Sequence, residues 1–172
     1  MSMKTVLFPG TFDPFHYGHL DIANRAAKLF DLVVIAVFDK PIKSLLFDPE
    51  TRISLVKEAV EGQAGIQVVG YSGLTVAFAK EIGATAIVRG LRVFSDFEFE
   101  FRMALANRRL DEEIDTVALI TDEENTFLSS TTVKEIASLG GDVSSMVPAH
   151  VNEALLKKYR ERTQTNMNKQ EI

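Results

Sequence analysis

The chain has 172 residues, 46% hydrophobic and 25% charged, with 24 acidic against 19 basic side chains and a net charge of −5. That length suits one domain around a single core, and no apolar run approaches the ~20 residues of a membrane helix. The absence of cysteine excludes a disulfide framework and thiolate chemistry, and an acidic chain without a basic stripe does not suit general nucleic-acid binding.

Met1-Ser2-Met3-Lys4 has no signal-peptide layout, so a cytoplasmic protein is expected. The first predicted strand is Thr5–Pro9. It runs into Pro9-Gly10-Thr11-Phe12-Asp13-Pro14-Phe15-His16-Tyr17-Gly18-His19 and then a helix predicted over His19–Phe30. A strand, a Gly-containing turn and a helix present free backbone N–H groups and a positive helix end, which together outline a phosphate site. The two histidines stand at that helix mouth, where an imidazole can donate to phosphate oxygen. Leu32–Phe38 is the second strand. Its stretch Val33 to Val37 has no polar alternation, as in a central parallel strand covered on both faces. Helix Pro49–Val60, strand Ile66–Gly70, helix Thr75–Ile82 and strand Ala86–Arg89 follow, with a loop at Gly62–Gly65.

The next segment is ambiguous. Phe97-Glu98-Phe99-Glu100-Phe101 alternates like a half-buried strand. Over a longer window Phe94, Phe97, Phe101, Ala104, Leu105 and Arg108 share one helical face, and Glu98 and Arg102 make an i,i+4 pair, which favours a helix over Phe94–Leu110. Phe99 is then an apolar residue on the other side, a candidate for burial between subunits. A strand at Thr116–Thr121 and helices at Ser130–Leu139 and Pro148–Arg160 complete the pattern, with Thr131 or Ser130 as N-cap of the first of these. Residues 1–162 make one domain. The polar, unpatterned tail 163–172 is expected to be disordered.

Alternating strands and helices imply an α/β fold with a parallel sheet and right-handed crossovers. In such a sheet ligands sit beyond the carboxyl ends of the strands. Thr11 to His19, Lys43, Gly73 with Leu74, Arg89 to Arg92 and Asn125 to Thr131 each follow a predicted strand. Five loops therefore converge on one edge with groups suited to phosphate.

Gly-x-Phe-Asp-Pro followed by His-x-Gly-His resembles the signature of the nucleotidyltransferase superfamily. Lys43, the Arg89-Gly90-Leu91-Arg92 and Asp96-Phe97-Glu98-Phe99-Glu100 runs, and Leu128-Ser129-Ser130-Thr131 narrow the likeness to the phosphopantetheine adenylyltransferase family, from about Lys4 to about Tyr159. The resemblance implies a Rossmann-like, doubly wound sheet of five parallel strands. It implies adenylyl transfer from ATP to 4′-phosphopantetheine, giving dephospho-coenzyme A and pyrophosphate.

By that likeness the catalytic residues are His19, Thr11, Lys43 and Arg92. ATP would be held by Thr11, Phe12, Gly18, His19, Gly90, Leu91, Arg92, Glu100, Asn125, Thr126, Phe127, Leu128, Ser129, Ser130 and Thr131. The acceptor would be held by Thr11, Lys43, Leu74, Thr75 and Arg89. Mg²⁺ would ride mainly on ATP phosphates and water, since no carboxylate cluster makes a cage. Coenzyme A binding at the same cleft and a homo-oligomer, commonly a hexamer, are also implied; a nucleic-acid or membrane partner is not.

His16 stands where other members carry Thr, and Asp13 reads as shaping the turn rather than binding metal. Phe99, Asn125 and Gly73 depart from the family pattern, which affects the adenine and pantetheine contacts more than the phosphate groups. The competing readings are a nicotinate or nicotinamide mononucleotide adenylyltransferase, a glycerol-phosphate cytidylyltransferase, and a non-catalytic nucleotide sensor on the same fold.

Overall fold

The computed structural model describes residues 3–40 and 45–170. Its strands are β1 (Thr5–Gly10), β2 (Leu32–Phe38), β3 (Ile66–Tyr71), β4 (Ala86–Leu91) and β5 (Asp115–Ile120). The helices are α1 (Tyr17–Ala26), α2 (Pro49–Ala59), α3 (Thr75–Glu81), α4 (Phe94–Leu110), α5 (Ser130–Ser138) and α6 (Ala149–Gln170), with a short 3-10 turn at Glu123–Asn125. All strand pairs are parallel and the sheet order is β3-β2-β1-β4-β5. This is the predicted doubly wound α/β sheet.

The pleat sends alternate side chains of β1 to opposite layers. Val6 and Phe8 pack with Ile22 and Ala26 of α1 and Val56 of α2. Leu7 packs on the other face with Val76 and Ala79 of α3. Val33 to Val37 are buried throughout, as the unbroken apolar run required. A third cluster joins Leu55 of α2, Val133 of α5 and Val151 and Leu155 of α6, and bonds from Ser130 to Pro14 and from Lys134 to Asp13 hold α5 beside the turn after β1.

Strand order reverses between β1 and β4, which makes this the switch point of the sheet. There the two strands part early. β1 pairs with β2 over six residues, from Thr5↔Leu32 to Gly10↔Val37, but with β4 only at Val6↔Ala86 and Leu7↔Ile87. Beyond Leu7 the strands splay around Pro9, which has no N–H to give a neighbour. The crevice so opened is where the site lies.

Two expectations change. α6 continues to Gln170 instead of ending at Arg160, because residues 160–170 contain neither Gly nor Pro to stop it. The N-cap of α5 is Ser129, whose side chain accepts from the Thr132 N–H at 3.0 Å, rather than Ser130 or Thr131. α4 is helical as read; no residue of it is fully buried, and Phe94 is 89% exposed.

Candidate active site

The turn after β1 is held from inside. Phe12 adopts φ +50, a left-handed conformation uncommon for a large side chain. Its buried ring meets Phe8, Phe15 and His19 edgewise or tilted, with centroids 5.5, 5.6 and 5.0 Å away. A Cβ at Gly10 would stand 2.7 Å from this ring, so the turn needs glycine there. Asp13 is buried and accepts from the Leu46 and Phe47 N–H groups at 2.9 Å each and from Lys134 Nζ at 2.7 Å. It therefore ties the turn to the chain before α2 and to α5, and its role in shaping the turn is structural.

At the head of α1 the His16 N–H donates to Nδ1 of His19 at 3.2 Å. A neutral imidazole carries one N–H, so with Nδ1 accepting, the His19 proton sits on Nε2. Burial, reinforced by the charges of His16, Arg92 and Arg89, holds the His19 imidazolium well below its ordinary range. His19 is thus a neutral donor at physiological pH. Its ring stacks on that of His16 at 3.6 Å between centroids. Gly18 protects this stack, since a Cβ there would lie 3.1 Å from the His16 ring.

Burial and the nearby Arg92 charge lower His16 from 6.5 to about 3. The unfolded chain therefore takes up a proton at His16 below pH 6.5 that the folded chain refuses until about pH 3, so stability falls as pH falls through that window. In His16→Thr this contribution vanishes. Its melting temperature should drop less than that of the wild type between pH ~7.5 and ~4.5. Parallel drops in calorimetry would show that His16 is not a source of the acid sensitivity.

Two arginines face the turn, Arg89 from β4 and Arg92 just past its end. Arg89 donates to both Glu100 carboxylate oxygens, at 2.7 and 2.6 Å, and to the Pro9 carbonyl at 2.8 Å, which bridges the splay between β1 and β4. Arg92 donates twice to Asp96 at 3.1 Å and once to the Leu128 carbonyl at 2.6 Å. Both guanidinium groups thus carry a carboxylate counterion from α4. Opposite them, Ser129, Ser130 and Thr131 at the start of α5 line the same space, where a helix start offers free N–H groups; the Ser130 hydroxyl donates to the Pro14 carbonyl at 2.8 Å, and the Ser129 oxygen caps Thr132.

These parts enclose two adjoining cavities of about 330 and 280 Å³. The larger is lined by Thr11, Phe12, His16, Gly18, His19, Gly90, Arg92, Ser129, Ser130 and Thr131. The smaller runs between the sheet and α4 along Phe38, Tyr71, Gly73, Thr75, Phe99, Met103 and Asn107. Pro9, Gly10, Thr11, Arg89 and Glu100 line both. One cavity is rich in phosphate donors, the other is aromatic and amide-bearing, and Thr11 and Arg89 stand at their junction.

Most residues expected from the sequence meet here. Leu91, Leu74, Asn125, Thr126 and Phe127 line neither cavity; Asn125 lies near the mouth, its Cβ 3.7 Å from where a Gly18 Cβ would be. Leu128 is buried and contributes its carbonyl to Arg92. Phe12 has its ring in the core, so only its backbone can face a ligand. The Glu100 carboxylate is turned to Arg89 rather than presented freely to a ribose. Lys43 lies outside the described residues. Sequence reasoning missed Tyr71 and the fully buried Arg52. Arg52 could have been found as the one charged residue on the helical stripe it shares with Leu55 and Val56.

The cytidylyltransferase-like family model matches residues 7–136, which hold the turn, both arginines and the start of α5. A phosphopantetheine adenylyltransferase of Methylococcus capsulatus is 49% identical over 90% of this chain and 96% of its own length. Another of that name, from Roseiflexus sp., is 49% identical over 93% of this chain and 100% of its own. The chain belongs to the phosphopantetheine adenylyltransferase family. A crystal structure of a chain assigned as a nicotinate-nucleotide adenylyltransferase from Vibrio parahaemolyticus, 24% identical, superposes with a TM-score of 0.69 over 90% of this chain and 99% of that one. At that identity it speaks for the fold that this phosphopantetheine adenylyltransferase family member shares, and not for its substrate.

Proposed function

We propose that this chain transfers the adenylyl group of ATP to 4′-phosphopantetheine, releasing pyrophosphate and leaving dephospho-coenzyme A. The observation that carries this reading is the pair of cavities that share Thr11, Arg89 and Glu100. A nucleotide triphosphate fits the donor-rich cavity, a phosphate on a long amide-bearing arm fits the aromatic one, and the two phosphates meet at the junction. An oxygen of the acceptor phosphate attacks the α-phosphorus in line. The new P–O bond forms as the bond to pyrophosphate breaks. The nucleophile is already anionic, so no general base is needed, and catalysis rests on positioning and charge cancellation.

In this reading the His19 Nε2–H donates to the α-phosphate as charge builds there, which its fixed tautomer supports. Thr11 contacts both phosphates. Arg92 leaves Asp96 in part to hold the triphosphate, Arg89 takes the acceptor phosphate with its planar fork, and the start of α5 receives further phosphate oxygens. Lys43 would neutralise the two anions. The substrate is the magnesium complex of ATP. In this reading the ion is carried mainly by the ATP phosphates and water. Coenzyme A, which keeps both the pantetheine arm and an adenylyl group, would span the same two cavities. Among the described residues no helix is long and apolar enough to cross a membrane, and we place the reaction in the cytoplasm.

Pyrophosphate release with ATP should be strong for 4′-phosphopantetheine and weak for nicotinate or nicotinamide mononucleotide, or for CTP with glycerol 3-phosphate. Release only with another acceptor would overturn the substrate, and silence with all of them would overturn the activity.

The same family reading includes a homo-oligomer, a hexamer by likeness. Phe94, Phe97 and Phe101 stack along the exposed side of α4, with successive centroids 6.3 and 5.7 Å apart. Such an apolar ridge calls for a covering surface. Phe97→Glu should shift the assembly to smaller species in sedimentation, and a wild-type monomer at micromolar concentration would dismiss the oligomer.

A further inference from the structure

We propose that Arg52 is a positioning residue that sets the phosphate-binding peptide between Thr11 and Phe12; the proposal rests on the adenylyl-transfer reading above. Arg52 projects from α2 and is fully buried. Its Nη1 donates to the carbonyls of Thr11 and Phe38, each at 2.7 Å, its Nη2 to that of Asp39 at 3.3 Å and its Nε to that of Phe47 at 3.3 Å. None of these partners is a carboxylate. Four acidic side chains lie near enough to favour its charge, Asp13 foremost and then Asp48, Asp39 and Glu50, but none is hydrogen-bonded to it, and Asp13 is already engaged by two backbone N–H groups and Lys134. Burying a cation whose hydrogen bonds all go to carbonyls is costly, and burial lowers the proton affinity of this guanidinium despite the acidic side chains around it. A leucine would fill the same helical stripe without that cost. What only a guanidinium supplies is a rigid fork of donors that fixes several carbonyls at once.

The Thr11 carbonyl is the informative one. In a planar trans peptide the C=O and the following N–H point in opposite directions. Drawing the Thr11 oxygen toward Arg52 therefore aims the Phe12 N–H away from it. That N–H donates to no residue among those described, although Phe12 is buried and its residue lines the donor-rich cavity. Phe12, the residue whose N–H this peptide carries, is also the one non-glycine residue at positive φ among those described. Arg52 thus acts from behind the turn to hold a backbone donor ready for the triphosphate, in a site where no side-chain change at Phe12 could replace it.

The test compares Arg52→Lys and Arg52→Gln with the wild type. Affinities for MgATP and 4′-phosphopantetheine are read separately by calorimetry, and kcat by pyrophosphate release. Loss of a charge-fixed donor should weaken MgATP about 10-fold and lower kcat by a similar factor, with acceptor affinity within about twofold. A purely structural role would reduce the active fraction and leave both dissociation constants alone. That pattern, or wild-type values, would overturn the proposal. A second measurement needs no variant. In the ¹⁵N-labelled wild-type protein the Phe12 amide should move downfield on adding MgATP, and an unmoved Phe12 amide would overturn the proposal whatever the variants do. Should the wild type release no pyrophosphate with any acceptor, the activity reading fails while the MgATP binding arm still decides the role of Arg52.

Discussion

His19→Ala lowers kcat by about 100- to 1,000-fold while the affinity for MgATP changes little. The size follows from removing one preorganised donor aimed at developing negative charge. The direction follows from the tautomer: the His16 N–H occupies Nδ1, so Nε2 can only donate, and burial keeps the ring neutral. A neutral donor binds the ground-state phosphate weakly and the more charged transition state better, so the loss falls on kcat. The same argument predicts no loss of activity from protonation of His19 between pH ~6 and ~8. Steady-state kinetics with calorimetry checks both halves. Equal losses in MgATP affinity and kcat/KM with kcat unchanged would assign His19 to ground-state binding instead.

Arg89→Met raises the KM for 4′-phosphopantetheine by roughly 30-fold or more, and adding Glu100→Gln recovers part of the loss. Arg89 and Glu100 are a bidentate pair, with side chains 28% and 13% exposed. Truncating one partner of such a pair costs about 2 kcal/mol or more, much of it from the charge left behind. Here the orphaned Glu100 carboxylate would face an incoming phosphate dianion at the junction of the two cavities, so repulsion adds to the lost attraction. The double variant removes the repulsion and keeps only the loss. If it is no better than Arg89→Met, Glu100 does not act against the substrate. A KM change under about threefold in the single variant would remove Arg89 from acceptor binding altogether.

The two results separate the donor that responds to transition-state charge from the cation that holds the acceptor. Between them lies Thr11, held from behind by Arg52 and reached by both cavities. This organisation explains why the turn tolerates a phenylalanine at φ +50: the ring of Phe12 is core packing against Phe8, Phe15 and His19, and its backbone is the working part.

Much of this was legible in the chain itself, because the signals are local. The unbroken run Val33 to Val37 announced a strand covered on both faces, and the alternation of strands and helices announced the parallel sheet. The Gly-x-Phe-Asp-Pro and His-x-Gly-His spacing announced a phosphate turn, since turn geometry and a helix start are set within a dozen residues. Only the tertiary structure decided the rest. The counterion Glu100 of Arg89, the four carbonyls around Arg52 and the hold of Asp13 on Lys134 join residues up to 121 positions apart. Spacing reports an ion pair within one helix turn, as it did for Glu98 and Arg102, but not which carboxylate meets a cation on another element, because that depends on how layers stack. The reading of α4 shows the same limit. Its heptad-like phenylalanines correctly gave a helix, yet the face turned to the sheet carries Glu100, Met103 and Asn107, because the site claims that side and the stacked rings are left outward. Helix formation is decided by neighbours along the chain, whereas the choice of buried face is decided by what the rest of the fold offers it.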